Sequence, residues 1–142
     1  MPSFTTQLPN LQAMGPIAEA RVAVSASLEN DFRKRGVQMP NPIAVHAMVD
    51  TGASVTVVRD DLPDQLGLQP VGVTSINTPS STNVACYEYA VRLVLNNNVV
   101  IEATVIAAPL QGQNIQCLIG RDILAHGILV YIGYANTFSL SF

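Results

Sequence analysis

Ala44-Val45-His46-Ala47-Met48-Val49-Asp50-Thr51-Gly52-Ala53-Ser54-Val55-Thr56-Val57-Val58 reads as an apolar strand, a tight turn and a second β-branched run. An acidic residue at the end of an apolar strand is costly unless something specific uses it. Thr51 and Gly52 follow Asp50 at once, a hydroxyl and a residue without Cβ. Such a turn gathers backbone N–H groups and a hydroxyl around a carboxylate and fixes its direction. An ordinary Asp-Thr-Gly turn, its Asp bonded to its own backbone, would look the same locally. The rest of the chain decides between them.

At 142 residues the chain is one domain, large enough for a core and small for a two-lobed enzyme. Only 12% of residues are charged and 49% are apolar, so low surface charge points to an oligomer that covers part of its surface. Seven Lys and Arg against ten Asp and Glu give a net charge of −3, which argues against a nucleic-acid partner. Residues 1–20 hold no Lys or Arg and no long apolar run, and nowhere is there an uninterrupted apolar stretch long enough to span a membrane. Cys86 and Cys117 lack metal-ligand spacing and read as reduced core thiols, with a disulfide the lesser alternative, so a cytoplasmic protein without metal or cofactor is expected.

Taken in order, residues 1–16 hold prolines and polar residues without periodicity and read as an N-terminal arm, leaving 17–142 as the domain. Residues 17–28 alternate as a first strand. Residues 29–42 carry charge, Gly36 and two prolines and read as a solvated loop, with Arg33-Lys34-Arg35 solubilising. After the Asp50 turn, residues 60–66 suit one or two helical turns capped by Gly67. Residues 69–76 and 84–95 are apolar-rich strands around the polar stretch Asn77-Thr78-Pro79-Ser80-Ser81-Thr82-Asn83, a hairpin tip. A turn at 96–98, a strand at 99–108 and a turn at 111–114 lead to Gln116-Cys117-Leu118-Ile119-Gly120, a short buried strand. A short helix over 121–126 and a terminal hairpin around Ala135-Asn136 complete the chain. The sum is all-β: a small closed or folded-over barrel with one clear short helix near the C-terminus.

Two elements stand out, Met48-Val49-Asp50-Thr51-Gly52-Ala53 and Leu118-Ile119-Gly120-Arg121-Asp122-Ile123-Leu124, with about 65 residues and a hairpin between them. Together they resemble the retropepsins, the single-domain aspartic proteases of retroviruses and their cellular and bacterial relatives. The resemblance runs from about residue 17 to the end. It implies that Asp50 is the catalytic carboxylate, that Thr51 bonds to its mate across a homodimer, and that Gly52 admits the backbone of a polypeptide substrate. Ala53 and Ser54 would border that substrate. Ile76, Asn77, Thr78, Pro79, Ser80 and Ser81 would belong to a flap closing over it. Leu118, Ile119 and Gly120 would pack beneath the Asp loop, with Arg121 and Asp122 starting a helix that buttresses it. The resemblance also implies interface strands from the chain termini, for which the alternating segment Thr137-Phe138-Ser139-Leu140-Ser141-Phe142 is the candidate.

Elementary chemistry agrees. Peptide hydrolysis without a metal or a nucleophilic side chain needs a base to activate water and an acid to protonate the amide. Two carboxylates sharing one proton supply both, since like charges about 3 Å apart do not both ionise. The chain has one Asp-Thr-Gly, so the second carboxylate would come from an identical chain on a two-fold axis.

The chain departs from the family in three places. The flap tip has Pro79 and no glycine, Ser54 stands where retroviral members often carry an Asp that pairs with the helix arginine, and the 29–42 segment is long. His46 and His126 do not sit with Ser54 in a strained nucleophile turn, so a Ser-His-Asp hydrolase is a poor reading. The competing class is a retropepsin-fold dimerisation or peptide-binding module without catalysis.

Overall fold

The computed structural model describes residues 1–78, 81–110 and 114–142, apart from the side chains of Thr78 and Ser81. In chain order its elements are β1 (Ser3–Gln7), α1 (Leu11–Met14), β2 (Ile17–Val24), α2 (Ala26–Arg35), β3 (Ile43–Val49), β4 (Val57–Arg59), α3 (Leu62–Gln65), β5 (Gly72–Thr78), β6 (Ser81–Val94), β7 (Val100–Ala108), β8 (Cys117–Ile119), α4 (Arg121–Leu124), β9 (Ile128–Ile132) and β10 (Thr137–Ser141). The fold is all-β, as the sequence pattern indicates.

β3 and β4 are the two arms of the Asp50 turn, and β8 lies between them. It pairs parallel with β3 (Ala47↔Cys117, Met48↔Leu118, Val49↔Ile119) and antiparallel with β4 (Val57↔Leu118, Val58↔Cys117). The larger sheet runs β2-β3-β8-β4-β7-β6-β5, and β2 pairs with β6 as well as β3, so the sheet curls back on itself. Inside it Val22, Val45, Ala47, Val58, Val91, Leu93, Val105, Cys117 and Ile119 form a continuous apolar core. The β5–β6 hairpin closes with Thr78↔Ser81 after a register shift following Ile76. Pro79, Ser80 and the turn residues 111–113 lie outside the described residues.

Three expectations need correction. The segment 29–42 is not a loop throughout: α2 occupies its whole first half. Ser25 caps that helix by accepting the Leu28 N–H, Gly36 ends it at φ 65°, and Glu29–Arg33 and Asp31–Arg35 pair along one side. These are ordinary helix start, stop and i,i+4 signals, and Leu28 and Phe32 pack on the core. The N-terminal segment is not irregular, because β1 pairs antiparallel with β10, placing Ser3 opposite Ser141. The terminal segment offers no free edge: β10 is the middle strand of the sheet β1-β10-β9. Its Phe138 and Leu140 are fully buried, Phe138 meeting the Phe4 ring edge to face at 6.2 Å. The apolar side that suggested an interface is spent inside one chain.

Candidate active site

Asp50 follows the last residue of β3 and is half-buried. Its N–H donates to the Ile119 carbonyl at 2.9 Å, which extends the β3–β8 ladder into the turn. Its Oδ1 accepts the Gly52 N–H at 2.9 Å, and its carbonyl accepts the Ala53 N–H at 3.1 Å. A Cβ on Gly52 would stand 3.1 Å from that same Oδ1, so a residue without one keeps the turn tight against the carboxylate. Among the described residues Oδ2 has no hydrogen-bond partner, and the exposed Thr51 hydroxyl has none either.

The second motif comes up beneath this turn. The Arg121 N–H donates to the Ala53 carbonyl at 2.9 Å, and Arg121 Nη1 donates to the Thr51 carbonyl at 2.7 Å. That is the partner of Arg121 in a chain with Ser54 in place of a carboxylate. Gly120 is in direct contact with the loop: a Cβ there would lie 2.5 Å from the Val55 carbonyl. The structure therefore brings together Asp50, Thr51, Gly52, Ala53 and Ser54 with Ile119, Gly120, Arg121 and Asp122, while Leu118 pairs across both arms. Ile76 and Asn77 stand apart on β5, which pairs only with β6. Asn77 Oδ1 there accepts the N–H of Asn83, a residue at φ 54°. Among the described residues no hydrogen bond joins that hairpin to the Asp50 turn. Pro79 and Ser80, with the side chains of Thr78 and Ser81, form the undescribed part of the tip.

Sequence reasoning missed Thr56. It sits in a β-branched run and reads as strand, yet it is fully buried and hydroxyl-bonded to both Gly120 and Asp122. A lone hydroxyl in an apolar run was the available signal. His46 lies on the exposed side of β3, its Nδ1 3.3 Å from the Asn114 carbonyl, and His126 is exposed just after α4. Neither histidine is bonded to Asp50 or Ser54. Among the described residues no His, Cys, Asp and Glu cluster could hold a metal, and no helix is long and apolar enough to cross a membrane. Cys86 and Cys117 are unpaired and buried. Burial, with Asp122 nearby, pushes the Cys117 thiol up to about 12.

A family model described as aspartyl protease matches residues 36–123, from the residue after α2 to the third residue of α4. The chain belongs to the aspartyl protease family. The matched span holds the first motif, the hairpin after it and the second motif as far as Ile123. Among solved structures, this aspartyl protease family member is similar to a retropepsin-like aspartic protease from Rickettsia conorii. The TM-score is 0.50 at 14% identity, over 98% of this chain and 92% of that one. At that identity the likeness speaks for the fold, and the fold is retropepsin-like. No curated protein sequence matches the chain.

Proposed function

We propose that the chain is an aspartic endopeptidase that works as a homodimer, with one Asp50 from each subunit at a shared site. The observation that carries this is the Asp50 turn itself. Its carboxylate is held by one oxygen and leaves the other open, while the turn hangs on β8 through the Asp50 N–H and on Arg121 through the Thr51 and Ala53 carbonyls. A single such turn per chain is half of a proton-sharing pair. In the reaction, a water between the two carboxylates gives its proton to the ionised one while its oxygen attacks the scissile carbonyl. The protonated carboxyl gives its proton to the carbonyl oxygen. Collapse of the tetrahedral intermediate then breaks the C–N bond as the amine takes up a proton. Arg121 contributes by holding the Thr51 carbonyl, and Gly52 by leaving room for an extended polypeptide backbone.

With β10 enclosed, β9 is the better-suited strand for subunit contact. Its outer edge carries no backbone hydrogen bond among the described residues, and Ile128, Val130, Tyr131 and, just beyond it, Tyr134 are exposed. Residues 127–142 contain no Lys, Arg, Asp or Glu. An apolar edge without charges pairs readily with another chain, and an antiparallel edge can pair with its own copy. A cytoplasmic setting, where the two thiols stay reduced, completes the reading.

The test is Asp50→Asn, which keeps shape and removes the shared proton. Cleavage of an unstructured polypeptide is expected to fall by at least 10³-fold, an order of magnitude appropriate to loss of both acid and base roles. Sedimentation should still show the dimer. Turnover near wild type would remove the aspartic mechanism. A dimer that binds peptide but cleaves nothing, wild type included, would establish the non-catalytic module instead.

A further inference from the structure

We propose that Asp122 and Thr56 form a positioning pair that sets the Asp50 turn for catalysis, the carboxylate acting through the buried hydroxyl. This rests on the aspartic-peptidase reading above. Thr56 is the first residue after the turn, and Gly120 is the first after β8. The Gly120 N–H donates to Thr56 Oγ1 at 3.0 Å, and Thr56 Oγ1 donates to Asp122 Oδ1 at 2.8 Å. The Thr56 N–H donates to Asp122 Oδ2 at 3.1 Å, and the Ile123 N–H donates to Asp122 Oδ1 at 2.9 Å.

The directions follow from valence. A carboxylate only accepts, so the single hydroxyl hydrogen must point at Asp122, and the oxygen lone pairs are left for Gly120. Both oxygens of Asp122 are asked to accept, three times in all. An amide of the same shape would set an NH2 against an N–H donor whichever way it turned. A carboxylate is therefore required here, beyond a residue that merely starts a helix.

The clamp bears on Asp50 because of where it ties the chain. The entry of the turn hangs on Ile119 through the Asp50 N–H, and its exit hangs on the adjacent residue, Gly120, through Thr56. Gly120 also touches the Val55 backbone with no side chain between to absorb a shift. Release of the exit would leave the turn held by its entry bond and by Arg121 at the Thr51 and Ala53 carbonyls, with nothing fixing its far end against Gly120, and a displacement of about 1 Å at a reacting group costs on the order of 10²-fold in rate.

The experiment compares full-length Thr56→Val, Thr56→Ser, Asp122→Asn and a control, Val22→Ala, a fully buried core truncation on β2 away from the clamp. All are assayed at a temperature where each is folded and sediments as wild type does. Thr56→Val and Asp122→Asn should lower kcat roughly 10- to 100-fold with KM within about three-fold. Thr56→Ser should return kcat to within about three-fold of wild type, and Val22→Ala should leave it there. Amide exchange at Gly120 should be fast in Thr56→Val and protected in Thr56→Ser. The proposal is overturned if Thr56→Val keeps wild-type kcat, if Val22→Ala loses as much, or if Gly120 stays equally protected. Should wild type cleave no peptide, the Asp50 reading fails, and exchange at Gly120 still decides whether the clamp exists.

Discussion

Gly120→Ala isolates the contact between the two motifs. Gly120 sits at φ −90° and ψ −179°, backbone that any residue adopts, so the substitution carries no conformational penalty of its own. What it adds is a methyl 2.5 Å from both the carbon and the oxygen of the Val55 carbonyl and 3.0 Å from the Thr56 nitrogen. Carbon contacts settle near 3.5 to 4.0 Å, so the backbone of the Asp50 turn must retreat by about 1 Å. Overpacking of that kind costs about 1–3 kcal/mol. The retreat also stretches the buried Gly120 N–H bond to Thr56, and an unsatisfied buried donor costs a further 1–3 kcal/mol or so. The expected loss is therefore about 2–6 kcal/mol, a large share of a typical domain stability of about 5–15 kcal/mol. Urea unfolding followed by circular dichroism would show it as a midpoint lowered by roughly 1–3 M at an m-value near 2 kcal/mol/M. Cleavage by the fraction that remains folded should drop on the order of 10²-fold, since the turn that carries Asp50 has moved. A midpoint within 0.3 M or so of wild type, with turnover intact, would show that the turn can yield here without consequence and would refute the tight coupling of the two motifs.

Two other outcomes are expected. Burial holds the Cys117 thiol at about 12 against 9 in the unfolded chain, so between those values only the unfolded chain gives up its proton. Stability from this group is intact below pH 9 and falls by about 1.4 kcal/mol per unit above it. Urea midpoints from pH 8 to 11 should fall less steeply in Cys117→Ala than in wild type, the remaining slope coming from Cys86 and Tyr89, which burial also raises; an unchanged slope in the variant would assign it to other groups. Val130→Lys, on the exposed side of β9, should leave the melting temperature within a few degrees while producing an inactive monomer. An active dimer carrying that lysine would place the subunit contact elsewhere.

The parts of the molecule that were legible in the sequence are those whose cause is local. Asp50 could be picked out because a charge at the end of an apolar strand is conspicuous, and Gly120 because an apolar run stops at it and a helix begins. Gly67 was a readable helix end and adopts φ 65°. α2 was misread because charge and prolines nearby suggested solvent. The pairs Glu29–Arg33 and Asp31–Arg35 and the stop at Gly36 were present in the sequence and outweigh them. β1 carried no local signal, since its partner lies more than a hundred residues away at β10. Without that pairing in view, β10 reads as an interface strand. Thr56 shows in the sequence only as a hydroxyl in an apolar run, because its role exists only once Asp122, 66 residues on, folds against it.

The insertion of β8 between the arms of the turn also sets an order of events during synthesis. A nascent chain that has reached β7 already contains Asp50, both arms and the hairpin, but neither the Ile119 carbonyl that receives the Asp50 N–H nor Gly120 beneath Val55. Until β8 emerges from the ribosome, the arms have nothing to hang on and the carboxylate has no fixed direction. Such long-range pairings form late and slowly. The Asp50 turn is thus among the last features to be built, and an unfinished chain holds its carboxylate without the means to aim it.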